Sequence, residues 1–564
     1  MKTLVLVVFM LLLTAMGVGA VQLDKGQEVT IGGWESADAL KQNLAVMQQN
    51  GVTSHEVYVP WARIEKKPGQ FDFSDFDPMV DVYRQSGLKW VPFLILSPAY
   101  SLPDWFYKSK EHVGYVCLEH HQESDVQSLW NPNLPQHVDD FIRAFAGHYK
   151  DSGVIESLLL GISGNYGEAL YPASGNDWTA DRHGQYHTHS GYWCGDVYAV
   201  ADFQKYLQKK YGTITKLNQR WNKQYTAFSE IQPQLKENWN SDLAWLDQME
   251  WYRYSMLQWE EFWMKTTRKY FPNTKIYLCT GGVDLQNWLG ADFSAQVKLA
   301  KKYNAGVRIT NEASEYNFNF TLTRMIGSAG KFYHTFYGFE PAGFVSETGV
   351  VARVYNASAS GALQLHYYCD NLFGDPPQKL VFWQQTAQNF KSRIPVVPTA
   401  VLYPKTFAAL RNDHFIDRDK VLRDVLDHDY VDERMVREGA LKNYKYLVII
   451  EGNIWPAETY QSILNWVKRG GILVASHQSG VFVTPEKDRQ FDRLLFPAES
   501  NSIGKGHTYR ETASKNNLLK YCRYVAEITG INPIPPEKMY DTRFNDGTIL
   551  RYDANKATIQ LLKP

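Results

Sequence analysis

The sequence predicts an α/β protein: a (β/α)8 barrel, then a small open α/β sheet, then a short C-terminal β segment. Three observations predict it. Eight short apolar runs alternate with amphipathic segments over residues 29–368, the pattern of a parallel barrel. Pro395 and Pro398 then interrupt the pattern, and a second strand–helix alternation follows. From about residue 490 the chain turns polar and ends in two alternating segments. At 564 residues the chain is too long for one ordinary domain. The expected divisions are a leader at 1–20, a barrel at 21–395, an α/β domain at 396–490 and an extension at 491–564.

The barrel strands are expected at 29–33, 54–59, 90–96, 155–161, 275–279, 306–309, 332–337 and 363–368. Each is short, apolar and bounded by polar or glycine-containing turns. Helical periodicity lies between them at 37–50, 76–86, 135–149, 251–270 and 294–303. The gap between the fourth and fifth strands is the longest; it holds helices at 197–211 and 214–221. An excursion of this kind above a barrel mouth walls the site. The second domain reads as strands at 400–403, 446–451 and 471–475 with helices at 418–427 and 457–469. Residues 547–552 and 557–562 read as a β-hairpin.

Residues 1–20 carry Lys2, an apolar stretch and the small residues Val18-Gly19-Ala20. The stretch is too short to span a bilayer and is flanked as a secretory signal is. A soluble, exported protein, periplasmic or extracellular, is expected. Net charge is −1 with no basic block, so nucleic acid and anionic membranes are poor partners. The 17 Trp and 35 Tyr suit either a large core or a surface that packs on the apolar faces of sugars. The five cysteines are scattered and contain no C-x-x-C, so a cysteine zinc cluster is not expected; a Cys117–Cys194 disulfide is one pairing to test. His183, His187 and His189 fall in a polar loop without helical spacing, so sugar hydroxyls or solvent are their expected partners. No cofactor and no metal are expected.

Active sites of such barrels lie at the C-terminal ends of the strands. Residues 161–172 read GISGNYGEALYP and follow an apolar run, which puts Asn165, Tyr166 and Glu168 at the tip of the fourth strand. A solvated loop glutamate is the plain reading of such a residue. The other strand ends offer Trp61 and Arg63, then Asn311, Glu312 and Glu315, then Tyr337 and Glu340, then His366 and Asp370. Two carboxylates across an aromatic-lined pit meet the needs of glycosidic cleavage, one as proton donor and one as nucleophile or base. Glu168 and Glu340 are the expected pair. Trp61, Asn165, Tyr166, Asn311, Glu312, Tyr337 and His366 are the expected sugar-binding residues.

Residues 52–105, with V-T-S-H-E-V-Y-V-P-W-A-R, G-L-K-W-V-P-F and P-D-W, resemble the second and third strand units of the family 42 glycoside hydrolases, the β-galactosidases. Residues 203–222, F-Q-K-Y-L-Q-K-K-Y-G-T-I-T-K-L-N-Q-R-W-N, resemble a signature after the fourth strand of that family. Residues 464–474, L-N-W-V-K-R-G-G-I-L-V, resemble its trimerisation domain. The family carries its acid as Asn-Glu at strand four, whereas here Tyr166 follows Asn165 and the carboxylate comes at Glu168. The stretch G-E-A-L-Y-P instead resembles the acid motif of β-amylases. The resemblance implies a retaining β-galactosidase, Glu168 as acid, Glu340 as nucleophile with Glu312 as its rival, an oligosaccharide or polysaccharide substrate, and a homotrimer. A β-mannosidase or other β-glycosidase, an inverting amylase-like hydrolase and an inactive carbohydrate-binding barrel are the alternatives. The second domain also resembles glutamine amidotransferase sheets. It lacks the cysteine elbow that activity would need, so an oligomer-forming role is expected.

Overall fold

The computed structural model describes residues 21–173, 187–311, 314–341, 344–374, 378–476, 480–511, 517–531, 534 and 537–564. The expected leader at 1–20 lies outside them. Eight parallel strands close a barrel: β1 (Glu28–Gly32), β2 (Ser54–Pro60), β3 (Lys89–Ile95), β4 (Ser157–Gly161), β5 (Lys275–Thr280), β6 (Gly306–Asn311), β7 (Tyr337–Pro341) and β8 (Gln364–Tyr368). The ring shuts where β1 pairs with β8, from Glu28 opposite Gln364 to Gly32 opposite Tyr368. Helices α1 (Ala37–Gln49), α2 (Asp77–Ser86), α3 (Leu134–Tyr149), α4 (Asp242–Tyr270), α5 (Phe293–Lys302), α6 (Tyr316–Tyr333), α7 (Glu347–Ser360) and α8 (Gln378–Thr386) follow the strands in turn. Side-chain caps set several of their starts. Ser36 accepts from the Ala39 N–H, Asp292 from Ala295 and Ser346 from Gly349, each satisfying an amide the first turn leaves open.

Seven strands lie within about two residues of their expected bounds. The seventh does not: 332–337 was expected, but α6 runs to Tyr333 and stops at His334, whose left-handed φ of 57° ends the helix. The run Phe332 to Tyr337 is aromatic at either period, so periodicity could not choose. The shift puts Glu340 inside β7 instead of beyond its tip.

The two long excursions sit at the mouth. After β3 comes a hairpin of Gly114–Val116 and Glu123–Gln127. After β4 come helices Val197–Tyr211 and Ile214–Trp221. The five cysteines are buried free thiols, so Cys117 and Cys194 form no disulfide.

The second domain is a six-stranded sheet: β9 (Thr399–Leu402), β10 (Asp429–Val431), β11 (Tyr446–Ile449), β12 (Ile472–Ser476), β13 (Ser502–Ile503) and β14 (Gly506–Glu511), in the order β10-β9-β11-β12-β14-β13. It continues past residue 490, because β14 pairs in parallel with β12. The polar alternation of Gly506–Glu511 hides that strand from hydropathy. The C-terminal segment is a three-stranded meander, β15 (Met539–Arg543), β16 (Ile549–Asp553) and β17 (Thr558–Leu562), one strand more than the hairpin expected. Both units dock on the barrel. Arg324 of α6 is buried at 3.1 Å from Asp429, and the Tyr355 hydroxyl of α7 meets Thr542 Oγ1 at 3.1 Å. No helix among the described residues is long and apolar enough to cross a membrane.

Candidate active site

The tip of β4 shows how Glu168 is placed despite the residues inserted before it. The Ile162 N–H donates to the Gly167 carbonyl at 2.8 Å, and Ser163 bridges Gly167. Gly164 and Gly167, at φ 65° and 118°, allow this closed turn, which a side chain would strain. A Cβ on Gly167 would also come within 2.9 Å of the Phe93 ring. The chain leaves at Ile162, turns and rejoins the sheet, with the Ala169 N–H donating to the Cys279 carbonyl of β5 at 2.9 Å. Glu168 therefore stands next to the strand end, and the inserted residues do not push it outward. Its Oε1 lies 3.4 Å from Thr310 Oγ1 on β6. The bare Gly281 between them makes this approach available: a Cβ there would fall 2.7 Å from Thr310 Oγ1 and 3.4 Å from Glu168 Cγ.

Thr310 links the two candidate carboxylates. It stands opposite Glu340 in the β6–β7 register, with Arg308 opposite Gly338. Side chains two apart on a strand share a face, so Arg308 and Thr310 both point into the barrel. Arg308 Nη1 lies 3.1 Å from Glu340 Oε1 and 2.8 Å from Glu56 Oε2 of β2. His366 Nδ1 of β8 lies 3.2 Å from Glu340 Oε2 and 3.5 Å from Glu56 Oε2. All four side chains are buried, with Glu340 5% exposed. Above them the Tyr58 and Tyr368 hydroxyls meet at 2.9 Å.

One firm cation thus serves two carboxyl groups. Burial, then the charge of Glu340, push Glu56 well above the usual carboxylate range, which favours its neutral form. Burial works against Glu340 as well, but Arg308 and His366 outweigh it and hold its carboxyl below the usual range. Burial lowers His366, which favours the neutral imidazole. Two glutamates at one site are shifted in opposite directions, the pattern of an acid–base assignment. Arg308 Nε and Nη2, Glu56 Oε1 and His366 Nε2 make no hydrogen bond among the described residues.

Of the residues expected at the site, Glu168, Glu340 and His366 come together. Asn165 and Tyr166 shape the turn before Glu168: Asn165 Oδ1 accepts from the Ala173 N–H at 3.1 Å and the Tyr166 carbonyl from the Tyr100 hydroxyl at 3.2 Å. Asn311 ends β6 opposite Pro341. Glu312 lies outside the described residues. Trp61 is fully buried, packs on Phe106 at 4.9 Å and gives its indole N–H to Glu65, so it supports the β2 end. Tyr337 is corrected. It opens β7 at the barrel's far end, packed where Gly327, Gly330 and Gly361 leave room. Glu315 turns to Lys420 of the second domain at 3.2 Å.

Glu56 and Arg308 escaped the sequence reading because both sit in mid-strand instead of at a strand end. A signal was there: a charged residue inside an apolar strand of a closed barrel must find a partner within it.

The family model described as β-galactosidase, glycoside hydrolase family 42, matches residues 32–334, which include Glu56, Glu168 and Arg308 and stop short of Glu340. A thermophilic β-amylase of Thermoanaerobacterium thermosulfurigenes is 26% identical over 210 residues, 35% of this chain and 37% of that protein. A β-galactosidase of Geobacillus kaustophilus is 26% identical over 211 residues, 35% of this chain and 27% of that protein. The matches span less than half of the length of these curated relatives. Among solved structures, a β-galactosidase of Rahnella sp. R3 superposes with a TM-score of 0.72 at 12% identity, covering 95% of this chain and 94% of that one. The catalytic domain of a Paenibacillus polymyxa β-amylase superposes with 0.56 at 18% identity, covering 65% and 98%. These likenesses extend the barrel and its appended sheets to known folds. Since the family match spans more than half of the chain, the protein belongs to glycoside hydrolase family 42.

Proposed function

We propose that the protein is a retaining exo-β-galactosidase in which Glu340 is the nucleophile and Glu168 the proton donor. One observation carries the reading: Glu340 is a buried carboxylate whose charged form Arg308 and His366 favour, and its register partner on β6, Thr310, lies 3.4 Å from Glu168 Oε1. In the first step Glu340 attacks the anomeric carbon while Glu168 protonates the leaving oxygen. In the second, water attacks that carbon as Glu168 takes its proton and Glu340 leaves. Arg308 and His366 favour the charged form of Glu340 before attack and after release. Hydrolysis of a panel of aryl β-glycosides tests the sugar, with galactoside expected to be fastest. Proton NMR of the first sugar released tests the course, and an inverted anomer removes the nucleophile role. Azide rescue of Glu340→Gly, giving the glycosyl azide of opposite anomeric configuration, supports it.

A second reading is an inverting, amylase-like hydrolase, in which Glu340 would act as base toward water. The G-E-A-L-Y-P stretch and the match to the Thermoanaerobacterium β-amylase favour it. The same NMR experiment separates the two. Export through the leader at 1–20 and a homotrimer built on the second domain belong to this proposal as well. N-terminal sequencing of the secreted protein and light scattering test them.

A further inference from the structure

We propose that Glu56 trades charge with Glu340 during catalysis: it holds a proton while Glu340 is a carboxylate and releases that proton once Glu340 is joined to the sugar. This rests on the retaining reading above and makes Glu56 a positioning residue, acting through the nucleophile.

The two glutamates draw on the same donors. Arg308 Nη1 lies 2.8 Å from Glu56 Oε2 and 3.1 Å from Glu340 Oε1. His366 Nδ1 lies 3.5 Å from Glu56 Oε2 and 3.2 Å from Glu340 Oε2. One oxygen of each carboxyl group and one His366 nitrogen all lie within 4.8 Å of one another, and the cluster is buried. The titratable groups that face Glu56 are Arg308 on β6, Glu340 on β7, His366 and Tyr368 on β8, Cys279 on β5 and Glu35 beyond β1; Tyr58 shares its strand. Only Arg308 among them is a permanent cation. Two carboxylates this close in a dry pocket, with one guanidinium to share, resist ionising together.

Position decides which of them keeps the proton. Glu340 meets a donor at each oxygen, Arg308 at Oε1 and His366 at Oε2. Glu56 meets both groups through Oε2, and its buried Oε1 has no hydrogen-bond partner among the described residues. A buried oxygen without a donor costs more when charged than when neutral, so the proton belongs on Glu56.

Glycosylation reverses the balance. Glu340 forms a C–O bond with the anomeric carbon and becomes a neutral ester; the glycosidic C–O bond breaks and its electron pair leaves with the oxygen. Arg308 is then a buried cation deprived of its anion, which is a costly state. Loss of the Glu56 proton to solvent restores an anion 2.8 Å from the guanidinium. When water releases the sugar, Glu340 departs as a carboxylate and Glu56 takes a proton back. The cluster keeps one net charge throughout the cycle.

A dinitrophenyl 2-deoxy-2-fluoro-β-galactoside tests this on the full chain at neutral pH. Its fluorine slows breakdown of the glycosyl-enzyme, and its leaving group departs as an anion that takes up no proton. Peptide mapping should find the label on Glu340; a label elsewhere overturns the retaining reading and the charge exchange together. Glu168→Gln removes the other titrating carboxyl. In that background, labelling should release about one proton per chain to a pH indicator, and about none in Glu168→Gln/Glu56→Gln. Infrared difference spectra should lose a protonated-carboxyl C=O band that Glu56→Gln removes. Kinetics should split as well: Glu56→Gln should slow formation of the labelled enzyme roughly 10-fold and speed its breakdown, because the ester state then lacks an anion for Arg308. A label on Glu340 without proton release, or equal slowing of both steps, overturns the charge exchange and leaves the retaining reading intact.

Discussion

Two buried charge clusters, one inside the barrel and one between the barrel and the second domain, use similar groups to opposite ends. In the barrel, Arg308 faces Glu56 and Glu340, with His366 beside them. At the domain junction, Lys405 of the second domain lies 2.9 Å from Asp284, 2.7 Å from Asp292 and 3.1 Å from Asp432, and Arg434 reaches Asp292 at 2.8 Å. The junction sets two cations against three aspartates, and burial pushes Asp284 above the usual carboxylate range. Despite burial, Lys405 and Arg434 hold Asp292 well below the usual range, and the lysine itself is pushed up by its three partners against the cost of burial. The barrel sets one firm cation against two carboxyl groups. The junction cluster ties the second domain to the barrel; the barrel cluster shifts its two acids in opposite directions, favouring the charged form of Glu340.

Breaking each cluster should therefore damage a different property. The largest effect belongs to Glu340→Gln, expected to lower kcat on an aryl β-galactoside by at least ~10⁴-fold, ~5.5 kcal/mol in the barrier, with little change in Tm. Steady-state kinetics paired with calorimetry checks this; a variant with near-parental turnover would assign the role elsewhere. Lys405→Met should do the reverse, costing about 3–5 kcal/mol of stability by stranding buried aspartates, while kcat below the transition stays within about twofold. Urea unfolding measures the first quantity and initial rates the second.

A smaller effect is expected from Glu168→Gln. It should cost ~10²-fold in kcat on substrates with poor leaving groups, and less on activated aryl glycosides that need little protonation. Equal losses on both substrates would remove its role as proton donor. The smallest effect belongs to Glu56→Gln, which replaces a carboxyl that burial biases towards its neutral form with a neutral amide. Because the folded carboxyl titrates above its unfolded value, its contribution is full below the unfolded value and declines as pH rises through the folded one. The stability of the parent should fall relative to Glu56→Gln across that window, by up to ~1.4 kcal/mol per pH unit. Parallel urea curves at acidic and alkaline pH read the slope, and identical slopes would show that Glu56 is ionised.

Much of the fold was legible because its signals are local. Strand and helix periods, and caps such as Ser36 and Ser346, are written within a few residues. They yielded the order of the eight strands, the second sheet and the strand-end candidates Glu168 and Glu340. The seventh strand slipped where aromatics satisfy both periods, and β14 was missed where a strand is polar on both faces.

Other features exist only in three dimensions. Glu56 and Arg308 are 252 positions apart in the sequence and meet because the barrel closes. The excision of residues 163–167 as a turn decides that Glu168 reaches Thr310. The opposite shifts of Glu56 and Glu340 follow from burial and from how Arg308 and His366 sit between them. Periodicity records which side of an element is buried. Which groups share that buried space is set by the closing of the ring and the folding back of its loops, and the chemistry of the site depends on that neighbourhood.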